Sequence, residues 1–185
     1  MRILTLGLNH HTAPVEIRER LAFPEDDQPS ALARLVRDYG LSEAAILSTC
    51  NRSELYLAAD GDGGLDQARR FLAETRGIDV QTLESHFYQL SDSEAAIHLF
   101  RVASGIDSLV IGESQILSQV RQSLETAQQN GSARLPTRRE RWKSSLMSRR
   151  AEPLCWAVSR AWRTCLRICD SPMTSESMPQ ATLNR

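Results

Sequence analysis

The chain has 185 residues, of which 41% are hydrophobic, 24% charged and 5% aromatic, and its formal net charge is −1. This length is enough for one domain with a sizeable core, and no apolar run reaches the roughly 18 residues that a membrane-spanning helix needs. The short apolar start predicts no signal peptide, and four unevenly placed cysteines favour a reduced, cytoplasmic protein.

The near-neutral charge is the sum of two unlike segments that divide after Ser132. The first segment has 11 Arg and no Lys against 19 acidic residues, a net charge of −8. The remaining 53 residues have 11 basic and 4 acidic residues, a net charge of +7, and they contain all three Trp and three of the four Cys. A change in composition this sharp predicts a boundary in the chain.

The first segment predicts strands and helices in the order of an α+β fold. An apolar strand is predicted over residues 3–8, before the break at Ala13-Pro14, and a helix is predicted after Pro29 that ends at Gly40. Two further strands over 44–47 and 54–59 flank the polar turn 48–53, and a helix that ends at Gly77 follows them.

Two more helices are predicted before Ser132. Ser91-Asp92-Ser93-Glu94 has the spacing of a capping box, and the helix that it begins is predicted to bury Ala96, Ile97, Phe100 and Ala103. A long amphipathic helix is predicted after Gly112, with an apolar face of Ile116, Leu117, Val120, Leu124 and Ala127. This order of elements predicts an α+β sandwich.

Cys50 is the main candidate for chemistry. It is the only cysteine of the first segment, it lies in a polar turn, and the guanidinium of Arg52 nearby would favour the nucleophilic thiolate. The alternative is a buried, unreactive cysteine, which spacing alone favours by roughly two to one because free cysteine is among the most buried residue types. His98 is either an imidazole at the edge of the core or an acid–base partner of Cys50.

Metal and dinucleotide sites are not predicted. His10-His11 has no further Cys or His at the spacing of a metal site. The nearest approach to the G-x-G-x-x-G pattern is Gly61-Asp62-Gly63-Gly64, where Asp66 stands in place of the last glycine.

The second segment contains one amphipathic pattern. Arg160, Arg163 and Arg167 lie largely opposite an apolar face over residues 154–169, which predicts a basic helix for RNA or a membrane surface. The alternative is an accidental pattern followed by disorder from Ser171 to Arg185.

Three motifs resemble the signature segments of the glutamyl-tRNA reductase family, the first enzymes of the C5 route to tetrapyrroles. They are GLNHHTAPV with RER over residues 7–20, LSTCNRSELY over 47–56, and RVASGIDSLVIGESQIL over 101–117. Their order and spacing also resemble the family, and the resemblance covers residues 1–132. It implies a ferredoxin-like α/β sandwich followed by a long helix and a poorly ordered or partly helical tail.

The resemblance implies a mechanism and a set of site residues. The thiolate of Cys50 would attack the ester that joins glutamate to its tRNA, and NADPH would reduce the resulting thioester to glutamate-1-semialdehyde. His98 matches a histidine that is important for activity, and Arg52 is expected to pair with a carboxylate of the substrate. The expected substrate contacts are Thr49, Asn51, Arg52, Ser108, Glu113, Gln115 and Gln119. The implied partners are glutamyl-tRNA, glutamate-1-semialdehyde aminotransferase and a second copy of the chain, with no membrane.

The resemblance divides the chain into a catalytic domain over 1–112, the start of a connecting helix over 113–131, and an atypical basic tail over 132–185. Ser114 and Ser118 stand where the family usually has Pro and Gly. From about Ala133 the composition is typical of an out-of-frame reading of a GC-rich gene, so we expect a truncated or frameshifted product. The NADPH-binding and dimerisation domains would then be absent, and the chain would not complete the reduction alone.

Two other classes of function stay open at this point. One is a non-catalytic fragment that binds tRNA or a partner through the basic tail, with salt-dependent affinity. The other is a redox-sensing thiol protein in which Cys50 forms a disulfide with a cysteine of the tail.

Overall fold

A computed structural model describes residues 1–61, 63–79, 84–109 and 114–134. Its centre is a four-stranded antiparallel sheet in the order β2-β3-β1-β4. The strands are β1 (Arg2–Asn9), β2 (Glu43–Ser48), β3 (Arg52–Ala59) and β4 (Tyr88–Ser91). The first three confirm the predicted strands, whereas β4 was not predicted because its four residues are too short a pattern to stand out in the sequence.

Five helices are observed in the described residues: α1 (Val15–Leu21), α2 (Gln28–Arg37), α3 (Gly64–Arg76), α4 (Ser93–Ala103) and α5 (Ser114–Gln129). Gly40 and Gly77, which were predicted to end helices, have φ angles of 69° and 60°. These are left-handed conformations that glycine adopts without steric cost. The predicted long helix after Gly112 is observed as α5, and α1 was not predicted.

The strand order confirms the predicted ferredoxin-like α+β class. β2 and β3 form a hairpin, and β1 lies between β3 and β4 with antiparallel pairing on both sides. Helices connect β1 to β2 and β3 to β4. This is the split β-α-β arrangement, in which the two strands joined by a helical connection have another strand between them. β3 lies between β1 and β2, and β1 lies between β3 and β4.

The two faces of the sheet differ in chemistry because successive side chains of a strand point to opposite sides. One face of β1 presents Leu4, Leu6 and Leu8 to a core that also contains Phe71 of α3. The other face carries the alternate residues of β3, namely Arg52, Glu54 and Tyr56, all of them buried. α4 covers this second face, since His98 contacts Glu54 there.

The predicted capping box at the start of α4 is wrong. Asp92 precedes the helix with a φ angle of 52°, and it forms no side-chain hydrogen bond to the first turn. Its carboxylate instead accepts hydrogen bonds from the Arg2 guanidinium at 3.1 Å and from the backbone N–H of Ile3 at 3.3 Å. Pairing of β4 with β1 brings Asp92 beside the start of β1, and the carboxylate is used there.

The predicted inner face of α4 is also wrong in part. Ala103 is buried as expected, but Ile97 is 59% exposed, and the other buried residues are Ala95, Leu99 and Val102. Ala95 and Val102 lie three and four residues from His98 and therefore share a face of the helix with it. The helix therefore turns His98 inward, and hydrophobicity alone could not anticipate that orientation.

The predicted tail, including the basic amphipathic pattern, lies outside the described residues apart from residues 132–134. The division of the chain at residues 112 and 131 stays a prediction. A search of the described helices for one long and apolar enough to cross a bilayer finds none.

Candidate active site

The turn between β2 and β3 presents Cys50 at one end of the sheet. Thr49 holds this turn with its hydroxyl, which accepts hydrogen bonds from the backbone N–H groups of Asn51 and Arg52, both at 3.2 Å. The Thr49 N–H also donates to the Arg52 carbonyl at 2.8 Å. Cys50 itself is exposed and free of any disulfide. The buried, unreactive alternative therefore does not apply to Cys50.

A second turn, after β1, packs against the Cys50 turn. The Asn9 side-chain oxygen accepts hydrogen bonds from the N–H groups of His11 at 2.9 Å and Thr12 at 3.3 Å, which folds the chain back after the strand. The neighbouring His10 N–H donates to the Asn51 carbonyl at 2.9 Å. Two of the three sequence motifs thus form a single surface.

Arg18 of α1 anchors the Cys50 turn. Its Nε donates to the Cys50 carbonyl at 3.2 Å, and its Nη1 donates to the Ala13 carbonyl at 2.8 Å. Arg18, and not Arg52, is therefore the guanidinium that contacts this turn. No role was predicted for Arg18, although it lies in the RER segment of the first motif.

His10 lies in a positive environment, and its ring Nδ1 has no hydrogen-bond partner. Burial lowers the pKa of His10, and the charges of His11 and Arg52 lower it further, whereas Asp107 opposes them. The His10 and His11 ring centroids are 3.9 Å apart, and His10 Nδ1 is buried with no hydrogen-bond partner. Among the residues that the structure describes, no three His, Cys, Asp or Glu side chains converge as a metal site would require.

Arg52 lies in the interior, where two acidic residues hold it. Its side chain is 1% exposed, and its Nη1 lies 2.8 Å from Glu54 Oε1 and 3.4 Å from Asp107 Oδ2. Its Nη2 donates to the Asp107 carbonyl. Burial alone would lower the pKa of Arg52, but the charge of Glu54 raises it, so the guanidinium stays charged. The structure thus places Arg52 as an internal counter-ion, and its predicted pairing with a substrate carboxylate stays a prediction.

Glu54 is the centre of a buried polar cluster between the sheet and α4. Its fully buried carboxylate accepts hydrogen bonds from Tyr56 Oη at 2.5 Å, from Tyr88 Oη, and from His98 Nε2 at 3.0 Å, besides its ion pair with Arg52. Burial alone raises the pKa of Glu54, yet the hydrogen bond from His98 and the charge of Arg52 lower it to about 2. The carboxylate is therefore ionised and can only accept.

The two tyrosines stay protonated and act as donors to Glu54. Burial and the negative charge of Glu54 raise the pKa of Tyr56 and that of Tyr88 well above the usual value. The Tyr88 ring also packs against His98, with centroids 5.1 Å apart and an interplanar angle of 60°. His98 is thus fixed both by a hydrogen bond and by ring packing.

A cavity of about 380 Å³ opens beside this cluster. Its wall includes His98, which is 13% exposed, and Arg101, which is 58% exposed with Nη2 4.0 Å from Asp107 Oδ1. The other lining residues are Asn9, Tyr88, Leu90, Glu94, Ile97 and Asp107. The cavity therefore offers groups of both charges and an imidazole to a small polar ligand.

The Cys50 side chain and His98 do not contact each other. In the described part of the chain no hydrogen bond joins them, and His98 Nε2 is directed to Glu54. Arg52 follows the Cys50 turn in the chain, and its guanidinium contacts the same Glu54 carboxylate. Cys50 and His98 are thus placed at the same end of the sheet, with their catalytic roles still predictions.

The other predicted substrate contacts are only partly brought together. Ser108 follows α4 in the loop that holds Asp107, and its hydroxyl oxygen is buried without a hydrogen-bond partner. Gln115 is exposed and Gln119 half-buried, both on α5. Glu113 lies outside the described residues.

Gly64 of the glycine-rich turn is used for packing. A Cβ added to Gly64 would lie 2.6 Å from both the Ala59 Cβ and the Leu4 Cδ1 atoms, so the missing side chain lets α3 pack on the sheet. A phosphate-binding glycine leaves space for the ligand to approach the backbone, and Gly64 leaves none.

Sequence reasoning missed Glu54, Tyr56, Tyr88, Arg101 and Asp107 as members of the site. A signal for the first two was available, since Arg52, Glu54 and Tyr56 alternate along a strand and must share one face. Tyr88 gave no such signal because its strand was not predicted.

The chain is similar to known proteins over most of its length. Residues 6–141 match the family model described as glutamyl-tRNAGlu reductase, N-terminal domain. The chain is also similar to the solved structure of glutamyl-tRNA reductase from Methanopyrus kandleri, with 27% sequence identity and a TM-score of 0.59. That match covers 89% of this chain and 33% of the solved chain, so this chain spans about a third of the length of its relative.

Proposed function

This chain belongs to the family of the glutamyl-tRNA reductase N-terminal domain, and from that membership we propose that it cleaves the ester of glutamyl-tRNA through Cys50. The thiolate sulfur forms a bond to the ester carbonyl carbon, and the bond from that carbon to the 3′ oxygen of the tRNA breaks. The oxygen takes up a proton, the tRNA leaves, and glutamate stays on the protein as a thioester.

The observation that carries this proposal is the exposure of Cys50 on an anchored turn. An attacking thiolate must be accessible to an ester at the end of a large nucleic acid, and Cys50 is exposed at the tip of the β2–β3 hairpin. Arg18 and Thr49 bind the backbone of the same turn. A fixed, accessible sulfur reduces the loss of freedom on reaching the attacking geometry.

The cavity beside His98 supports glutamate as the bound group. A glutamyl ester presents one ammonium group and one carboxylate, and the cavity wall has Asp107 and Glu94 for the former and Arg101 for the latter. Arg101 is held only loosely by Asp107, at 4.0 Å, so its guanidinium has donors available for a carboxylate.

His98 is the proposed acid–base group. The reaction transfers one proton from the thiol to the departing 3′ oxygen, and an imidazole is suited to both halves of that transfer near neutral pH. His98 lines the cavity, and Glu54 and Tyr88 hold its ring.

Reduction of the thioester by NADPH to glutamate-1-semialdehyde, in tetrapyrrole biosynthesis, is what the family resemblance adds. The step proposed on the described residues ends at the thioester. The aminotransferase partner, dimerisation and a cytoplasmic location also stay predictions.

The test uses the full chain and glutamyl-tRNA labelled in its glutamate. We expect release of tRNA together with label that stays on the protein after denaturation, and loss of both in Cys50→Ala. Cys165→Ser is the matched control, because it removes another thiol of the same chain. Equal cleavage by Cys50→Ala and the unchanged chain would refute the proposal.

A further inference from the structure

The buried carboxylate of Glu54 lies behind His98 and not in the cavity wall. Its side chain is 0% exposed, and the cavity is lined by His98 and Tyr88 in front of it. A group in that place cannot touch a bound ester, so any effect that it has on the chemistry acts through the residues it holds.

The carboxylate of Glu54 accepts every hydrogen bond that it forms. An ionised carboxylate has no hydrogen to give, so each partner must donate to it. Arg52 Nη1, Tyr88 Oη and His98 Nε2 bind Oε1, while Tyr56 Oη binds Oε2. The hydrogen of the neutral His98 ring is therefore on Nε2, because Nε2 lies 3.0 Å from an atom that can only accept.

This geometry leaves one nitrogen of His98 for chemistry. When Nε2 carries the hydrogen of a neutral imidazole, Nδ1 has the free lone pair. No residue in the described ranges donates to Nδ1. We propose that Glu54 is the positioning residue of this site, which fixes His98 as the Nε2–H tautomer and makes Nδ1 the atom that accepts and returns the proton during ester cleavage.

The missing side chain of Gly7 provides the space that Glu54 occupies. Gly7 lies opposite Glu54 in the register of β1 and β3, and a Cβ at Gly7 would lie 2.7 Å from Glu54 Cγ. A glycine at this position lets the carboxylate lie across β1 towards α4. The positive charge of Arg52 compensates the burial of the carboxylate, which would otherwise favour its neutral, donating form.

The catalytic effect assigned to Glu54 rests on the proposed function. The tautomer of His98 does not depend on that function and can be measured separately. The first measurement is therefore a long-range ¹H–¹⁵N NMR spectrum of the full chain with ¹⁵N-labelled histidines, at a pH where the His98 ring is neutral. The His98 signals are identified by their loss in His98→Asn. We expect a hydrogen-bearing Nε2 and a bare Nδ1, and a hydrogen on Nδ1 with a bare Nε2 would overturn the assignment without any further variant.

The second measurement compares Glu54→Gln with Tyr56→Phe. The first variant removes the ionised acceptor that His98 requires, and the second removes a donor to Oε2 while Oε1 stays in place for His98. We expect Glu54→Gln to populate both tautomers and to slow Cys50-dependent ester cleavage by at least about tenfold. Tyr56→Phe should keep the Nε2–H tautomer, because Oε1 stays in place as the acceptor of His98.

The outcomes separate the two proposals. A folded Glu54→Gln with the tautomer and cleavage rate of the unchanged chain would overturn the positioning role. If the unchanged chain shows the Nε2–H tautomer but no cleavage that depends on Cys50, the proposed function fails while the assignment of the His98 ring stands. Far-ultraviolet circular dichroism of each variant establishes whether it is folded. If Glu54→Gln does not fold, the tautomer of His98 in the unchanged chain decides the assignment.

Discussion

Gly7 and Glu54 face each other across β1 and β3, and a methyl group on Gly7 would lie 2.7 Å from Glu54 Cγ. The strand that begins the chain thereby makes room for the carboxylate at the centre of the site. Glu54 in turn holds His98 of α4 and Arg52 of its own strand. A residue without a side chain thus determines where a buried charge can lie.

Gly7→Ala should lower both stability and ester cleavage. The added Cβ must displace Glu54, and overpacking of this kind typically costs about 1–3 kcal/mol. Urea unfolding measures the first effect and release of tRNA the second. Gly64→Ala is the comparison, because its Cβ would collide with Leu4 and Ala59 on the opposite face of the sheet. It should lose stability but keep its cleavage rate wherever it is folded. Gly7→Ala with unchanged stability would contradict the packing described here.

Arg18→Ala should slow ester cleavage by about 10- to 100-fold, because the Cys50 turn loses the donor that binds its carbonyl and a small displacement of a nucleophile is costly. The rate of protein labelling by glutamyl-tRNA measures this effect. Arg37→Ala is the matched control, since Arg37 pairs with Asp38 on the surface. That variant should keep its rate and lie within about 0.5 kcal/mol in stability. Equal rates for the two variants would exclude an anchoring role of Arg18.

Stability should fall in acid as Glu54 becomes protonated. The pKa of Glu54 is lowered from 4.5 to about 2 in the folded chain. Its stabilising contribution is therefore present above pH 4.5 and is lost as the pH falls towards 2, with a total on the order of 3 kcal/mol. Unfolding by urea across this pH range measures it. The loss should be smaller in Tyr56→Phe, because the Tyr56 hydroxyl is one of the donors that lower the pKa of Glu54, and a folded Glu54→Gln should lack it.

His10 should add a second, weaker pH dependence closer to neutrality. Its pKa is lowered from 6.5, first by burial and then by the charge of His11, so the folded chain prefers the neutral ring. The stability from His10 is present above pH 6.5 and is lost as the pH falls from there through the lower folded value. His10→Asn should flatten this part of the profile.

The control for the His10 prediction is His11→Asn. Removal of the neighbouring positive charge should raise the pKa of His10 towards 6.5, which an NMR titration of the histidines can follow. A titration of His10 that does not change in His11→Asn would contradict the proximity of the two rings.

Local sequence patterns predicted the α+β class, three of the four strands and the helix ends at Gly40 and Gly77. These features depend on local rules, namely the period of apolar residues and the freedom of glycine to adopt positive φ. The motifs over residues 7–20, 47–56 and 101–117 also indicated the family, because three long segments in order make a specific match. Exposure of Cys50, in contrast, had to come from the structure, since spacing alone favoured a buried thiol.

Which residues share the site, and what each of them contacts, follows from the fold. The pairing of β1 with β3 brings Gly7 against Glu54, and the rotation of α4 turns His98 inward while Ile97 faces out. Arg52 lies inside as the counter-ion of Glu54, and its pairing with a substrate carboxylate stays a prediction. The contacts of Gly7 and His98 with Glu54 join residues that are distant in the chain, so no local pattern can specify them.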